Sequence, residues 1–181
     1  IIREVLRELG LPDRQIISEP RKDAATGAAM AIAAMQGETL GRGVGFSTSE
    51  GRALTRNAAV GVVTPGIFLR YLARGDLRKD QVGAIVIDEV HEASLDRDMA
   101  LGLVRRMKEQ GQAPLVILMS ATIDEKKMGQ YFDLDAEDCI VVEGESHELE
   151  IKNVKEESED YRDDVVAGIQ HVLQESSLQG D

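Results

Sequence analysis

Apolar and polar positions in this chain alternate between two periods. From residue 1 to 9, Ile1, Ile2, Val5, Leu6 and Leu9 recur at helical spacing, and Gly10 follows as a stop. Short apolar runs then punctuate the chain. "RQIIS" (14–18), "AAVGVVT" (58–64), "VGAIVI" (82–87) and "PLVILM" (114–119) predict strands, the last two buried on both faces. Between them the spacing predicts helices over 24–35, with Asp23 available as a cap, over 65–74 with Pro65 in the first turn, over 94–111 ending at Gly111, and near 124–132. Strands alternating with amphipathic helices imply an α/β fold with a largely parallel sheet. The glycines of "GRGVG" (41–45) are read as a turn, because no strand feeding a helix frames them and no Lys-Ser/Thr follows.

Beyond Phe132 the composition shifts. "CIVVEG" (139–144) is a further strand candidate, "VKEESEDYRDD" (154–164) a solvated acidic stretch, and "VVAGIQHVLQES" (165–176) a last helix. The expected organisation is a body over 1–133 and an acidic linker over 134–181 that leads toward another domain. The chain opens on Ile1, already within a helical pattern, and is expected to belong to a longer polypeptide.

Composition narrows this picture a little. No run approaches the roughly 18 apolar residues of a membrane helix, and the charges in "IIREVLRELG" exclude a signal peptide. One cysteine, Cys139, excludes an intrachain disulfide and a multi-cysteine zinc site. These features favour an intracellular protein, in nucleus or cytoplasm. The net charge of -12 argues against a nucleic-acid partner until its distribution is read. Of 33 acidic and 21 basic residues, 16 and 3 lie in 133–181, which leaves 17 and 18 for 1–132. The body is therefore nearly neutral and has room for a local basic groove.

Candidate chemistry sits where strands end. In a parallel α/β sheet, ligands bind beyond the carboxyl ends of the strands. Glu19 to Lys22 follow one predicted strand, Thr64 to Gly66 a second, Asp88, Glu89 and His91 a third, and Ser120 and Thr122 a fourth. Asp88 and Glu89 are neighbours, so their side chains diverge. One carboxylate suits a hydrated magnesium ion, and the other suits the orientation or deprotonation of a water. A bare Asp-Glu pair is more often a solvated turn. Arg21 and Lys22 precede an Ala-rich helix whose amino end favours anions, and Thr64 and Gly66 offer a hydroxyl and an N–H at a second helix start. With 3% aromatics, extensive base stacking is not expected.

The order of these segments carries more than any one of them. "DEVH" (88–91) followed by "SAT" (120–122) resembles the DExH branch of superfamily 2 helicases, and "DEVHEASLDRD" is similar to the DEAH-box pattern DEAHER-[ST]-L-x-[ST]-D. "EPRK" (19–22) resembles that family's PRR segment and "TPG" (64–66) its second backbone-contacting motif. "LGRGVGFSTSE" (40–50), "MGQYF" and "VVEGESHELEI" are similar to the family's LGxxVGYxIRFE, KFSxYF and VPGRxYPVxI stretches. The resemblance spans nearly the whole chain and implies a RecA-like parallel sheet flanked by helices, truncated at its N-terminus, with a C-terminal linker segment. It implies a site for ATP and Mg²⁺, with Asp88 on the metal through water, Glu89 as catalytic base, and His91 linking the nucleotide to a second RecA-like domain of the same polypeptide. Ser120 and Thr122 would bond to the "DEVH" segment and couple hydrolysis to strand movement. Pro20, Arg21, Lys22, Thr64, Pro65 and Gly66 would contact the backbone of a single-stranded nucleic acid, RNA before DNA. No membrane contact is implied.

The chain also departs from the family. G-x-x-x-x-G-K-[ST] does not occur, and "IIREVLRELG" resembles the helix that follows that loop, which places Ile1 about ten residues beyond it. Val90 stands for the usual Ala, Ala93 for the Arg of HER, Ser47 to Ser49 for an Ile-Arg-Phe run, and "TPG" for TDG. The leading expectation is part of an ATP-dependent helicase that is inactive as this chain alone. The alternatives are a catalytically silent binding module and an ATP-driven translocase on duplex DNA.

Overall fold

A computed structural model of the chain describes residues 2–121, 125–142 and 161–175. Contacts divide the chain into two compact units, Ile1–Cys139 and Ile140–Asp181. The first unit holds α1 (Ile2–Glu8), β1 (Gln15–Ser18), α2 (Lys22–Met35), β2 (Val44–Ser47), β3 (Val60–Val63), α3 (Pro65–Arg74), β4 (Ala84–Ile87), α4 (Leu95–Glu109), β5 (Leu115–Leu118) and α5 (Glu125–Phe132). The second unit contributes α6 (Tyr161–Glu175).

The five strands form one parallel sheet in the order β2-β3-β1-β4-β5. Period-2 alternation explains its two-sided burial. Val60 and Val62 face α2, where Ala25, Ala29 and Ala33 let helix and sheet approach closely. Ile16, Val63, Ile85 and Ile87 face the opposite way, onto Phe68, Leu72, Leu101 and Val104 of α3 and α4. Phe68 is fully buried there, and such a side chain contributes about 1.5–3 kcal/mol by leaving water.

Register places the chemistry. Ser18 pairs with Val63 on one side and Ile87 on the other, and Ile87 pairs with Leu118. The residues that follow, Glu19, Thr64, Asp88 and Met119, therefore stand in a row on one edge. The chain crosses from the β3 side of β1 to its β4 side, so the strand order reverses at β1. A crevice opens at such a reversal in an open α/β sheet.

Several expectations change. α2 begins at Lys22 with Arg21 in the cap position, so Asp23 lies inside the first turn and makes no cap. Val44 and Gly45 belong to β2, and only the preceding residues of "GRGVG" turn. Gly45 is there because the chain folds back over it: a Cβ on Gly45 would lie 2.1 Å from the Ala53 carbonyl oxygen. β5 ends the sheet among the described residues and is only partly covered, with Leu115 40% exposed. Cys139 to Val142 form no strand, and the remainder of "CIVVEG" lies outside the described residues. α6 starts at Tyr161, earlier than its apolar pattern, because Asp163 and Asp164 suit the positive end of a helix. Thr122 and all of 143–160 lie outside the described residues. No helix among the described residues is long and apolar enough to cross a membrane.

Candidate active site

The site is built on the turn that leaves β4. Its first residue, Asp88, continues the sheet with its N–H on the Ser18 carbonyl (3.0 Å) and turns one carboxylate oxygen back to accept the Glu89 N–H (2.8 Å). Glu89 then takes φ 50°, a left-handed conformation that side chains other than Gly rarely adopt. That geometry costs about 1–2 kcal/mol and persists because the surroundings hold it. The Glu89 carbonyl accepts from Arg97 Nη1 at 2.8 Å and from the Glu92 N–H at 2.9 Å. One residue on, the Val90 N–H reaches the Met119 carbonyl (3.0 Å), so the turn is tied to the end of β5.

These ties aim the Glu89 carboxylate. Its Oε2 is shielded from solvent and makes no hydrogen bond among the described residues, although His91 Nδ1 stands 3.2 Å away. The two observations differ only in angle: the pair is within ion-pair reach but misaligned for a bond, so the oxygen keeps its acceptor capacity. His91 Nδ1 also meets Ser120 Oγ at 2.9 Å. Which partner it serves depends on the ring nitrogen that carries the proton. Asp88, Glu89, His91 and Ser120 are thus brought together. Thr122 is not among the described residues.

Glu19, at the end of β1, adds a second carboxylate beside Asp88. Burial holds its pKa above the ordinary glutamate value, and the Asp88 charge pushes the same way, while the Arg21 N–H and guanidinium pull it down. Among the described residues, no group of three or more His, Cys, Asp or Glu side chains could hold a metal by itself. Asp88 retains a carboxylate oxygen that receives no hydrogen bond from the Glu89 N–H. An oxygen donor of this kind fits a mostly hydrated magnesium ion, which takes one or two protein carboxylates.

The basic turn and the "TPG" segment flank this turn on β1 and β3. Lys22 is not a bare cation, since its Nζ bonds Glu50 Oε1 at 2.5 Å. Arg21 is exposed, and its N–H reaches Glu19 Oε1 at 3.4 Å. Thr64 occupies the cap position of α3 without a side-chain bond, and Pro65 opens the helix. A Cβ on Gly66 would lie 2.9 Å from Asp96 Oδ2, so the glycine lets the first turn of α4 sit against the start of α3. An arriving phosphate would share that helix end with Asp96.

Arg97 is the residue that the sequence reading passed over. It lies in the first turn of α4, capped by Ser94 Oγ accepting the Arg97 N–H at 3.3 Å, and is 3% exposed. Its guanidinium makes no ion pair among the described residues, and its Nε is buried without a partner. A signal existed: the DEAH-box pattern has Ser or Thr at this place, so an arginine there, with the usual arginine lost at Ala93, is a paired departure.

Comparison with known proteins finds similar sequences along most of the chain. A family model described as DEAD/DEAH box helicase matches residues 14–130. ATP-dependent RNA helicase DHX33 of Mus musculus is 28% identical over 187 residues, covering 99% of this chain and 26% of that protein. ATP-dependent RNA helicase HrpB of Escherichia coli (strain K12) is 30% identical over 165 residues, covering 91% of this chain and 20% of that protein. The chain spans about a quarter or less of the length of these curated relatives.

Proposed function

The chain belongs to the DEAD/DEAH box helicase family, and on that premise we propose that it is the hydrolytic part of the first RecA-like domain of an ATP-dependent RNA helicase. The observation that carries the reading is Glu89: an acceptor oxygen without a hydrogen bond among the described residues, shielded from water, on a backbone held against its own strain. Strain of this kind clusters at functional sites, where it fixes a geometry in advance.

In this reading Glu89 accepts a proton from the attacking water. Asp88 would hold Mg²⁺ through water, and the ion would neutralise charge on the ATP phosphates. His91, between Glu89 and Ser120, would pass changes at the nucleotide to the end of β5 and to a second RecA-like domain. Thr122 joins Ser120 in this role on the strength of its motif alone. Arg97 positions Glu89 without touching substrate. The N–H groups and hydroxyl at Thr64 to Gly66, with Pro20, Arg21 and Lys22, would grip backbone phosphates without reading bases. The Lys22–Glu50 pair and Asp96 make that grip conditional, since a phosphate must compete with two carboxylates. An intracellular site of action is in keeping with the lone cysteine.

The test uses a polypeptide that joins this chain to a G-x-x-x-x-G-K-[ST] loop and to a second RecA-like domain. Glu89→Gln is expected to abolish RNA-stimulated ATP hydrolysis while ATP binding persists. Undiminished hydrolysis by that variant would remove Glu89 from the mechanism. Residues 1–181 alone are expected to show no ATP turnover, because no loop of this type occurs in them to cradle the phosphates.

A further inference from the structure

The opposite edge of the same sheet carries a feature that the hydrolytic reading leaves unused. A cavity of about 310 Å³ lies there, lined by Arg14, Arg52, Arg56 and Arg74 together with Tyr71 and Asp76. Arg14 immediately precedes β1, and Arg74 ends α3, which runs from the Thr64 edge back across the sheet. Arg52 and Arg56 come from the segment that folds back between β2 and β3. Four strand residues at about 3.3 Å each separate this edge from Asp88, roughly 13 Å.

The charge around this cavity is not balanced. Four guanidinium groups share it with a single carboxylate, Asp76, and none of the four forms an ion pair among the described residues. Arg52 gives its Nε to the Leu54 carbonyl at 3.2 Å, whereas Arg14 Nε is buried with no acceptor among the described residues. A buried donor without a partner calls for an explanation. Composition does not supply one, since residues 1–132 hold 17 acidic and 18 basic side chains, so the excess here is local. Guanidinium forks match phosphate oxygens two at a time. Tyr71, packed against the main core, gives the cavity an apolar wall.

We propose that this cavity is a second anion site that takes a phosphate group, with Arg14 as its inner donor and Arg56 and Arg74 as its outer ones. The volume lies at the small end of ligand sites, enough for a phosphate or diphosphate with little attached. The phosphate can come from a single-stranded nucleic-acid backbone leaving the far edge or from a free phosphate compound. The proposal is independent of the hydrolytic reading.

Nitrogen-15 NMR of the Arg14 Nε–H in the 181-residue chain, titrated with pyrophosphate, tests it. The resonance is expected to shift and saturate in the low-millimolar range or below. Arg56→Glu with Arg74→Glu, both at exposed positions, is expected to weaken the interaction at least tenfold, and Asp76→Asn to strengthen it. If a short single-stranded RNA displaces pyrophosphate, the backbone is the source; if it does not, a free phosphate compound is. No shift up to about 10 mM pyrophosphate overturns the proposal. So does equal affinity in the double variant, which would mean an adventitious ion only.

Discussion

Arg97→Met isolates a side chain whose contributions to stability and to catalysis have opposite signs. Methionine keeps the buried stem and removes the guanidinium. Burying that charge costs several kcal/mol even after relaxation, and no carboxylate compensates it among the described residues. Against this stands one charge-assisted hydrogen bond to the Glu89 carbonyl, which contributes about 1.5–3 kcal/mol. The carbonyl is not orphaned in the variant, because the Glu92 N–H still reaches it. Desolvation therefore wins, and the variant is expected to unfold with a free energy equal to wild type or higher by up to about 2 kcal/mol. Catalysis should move the other way. The left-handed Glu89 backbone costs about 1–2 kcal/mol, and without Arg97 that cost is no longer fully opposed. The corresponding factor is about 5–30 in the population of the productive conformer. In a polypeptide competent for ATP turnover, kcat should fall by that factor while KM for ATP holds, and Arg97→Lys should recover part of the loss. Urea unfolding of the chain and steady-state ATPase measurements give the two numbers. A loss of more than about 1 kcal/mol in stability, or an unchanged kcat, refutes the reasoning.

Three further outcomes follow from the same contacts. Because burial raises the pKa of Glu19 in the folded state, its contribution is fully present at low pH and is lost as pH rises through the folded value. Glu19→Gln should therefore be more stable than wild type at pH 7, with the gap closing as pH falls toward the ordinary glutamate range; a less stable variant in urea titrations at pH 7 would contradict the shift. Glu50→Gln frees Lys22 from its 2.5 Å partner. It should tighten single-stranded RNA binding a few-fold at low salt, with the gain fading as salt rises; fluorescence anisotropy at two salt concentrations would expose a failure. Gly45→Ala must displace backbone, since its Cβ would sit 2.1 Å from the Ala53 carbonyl oxygen. A loss of about 1–3 kcal/mol is expected, and thermal unfolding unchanged from wild type would show that the returning segment yields freely.

Much of the fold was legible because local chemistry and global fold agree. The apolar runs within 14–18, 58–64, 82–87 and 114–119 became strands, whereas Cys139 to Val142 did not, and Pro65, Ser94, Gly10, Gly75 and Gly111 sit at helix ends where their backbone preferences suit. The strand-end rule places Asp88, Glu89, His91 and Ser120 on one edge from the order of residues alone. β2 was hidden because its glycine answers to a backbone that arrives from residues 53 and 54, a contact no local pattern reports. The apolar composition of β5 predicts a covered strand, whereas coverage depends on its place at the end of the strand order among the described residues.

The sequence by itself determined which residue types meet at the carboxyl edge, since strand length and alternation follow from the order of side chains. Only the tertiary structure decided how they are held. The positive φ of Glu89 is held by the bonds around its turn, and Arg97 reaching back eight residues, Glu19 beside Asp88 and four arginines around one cavity depend on distances between separate segments. Such distances depend on packing and register, and neither is written in a local pattern of apolar and polar positions.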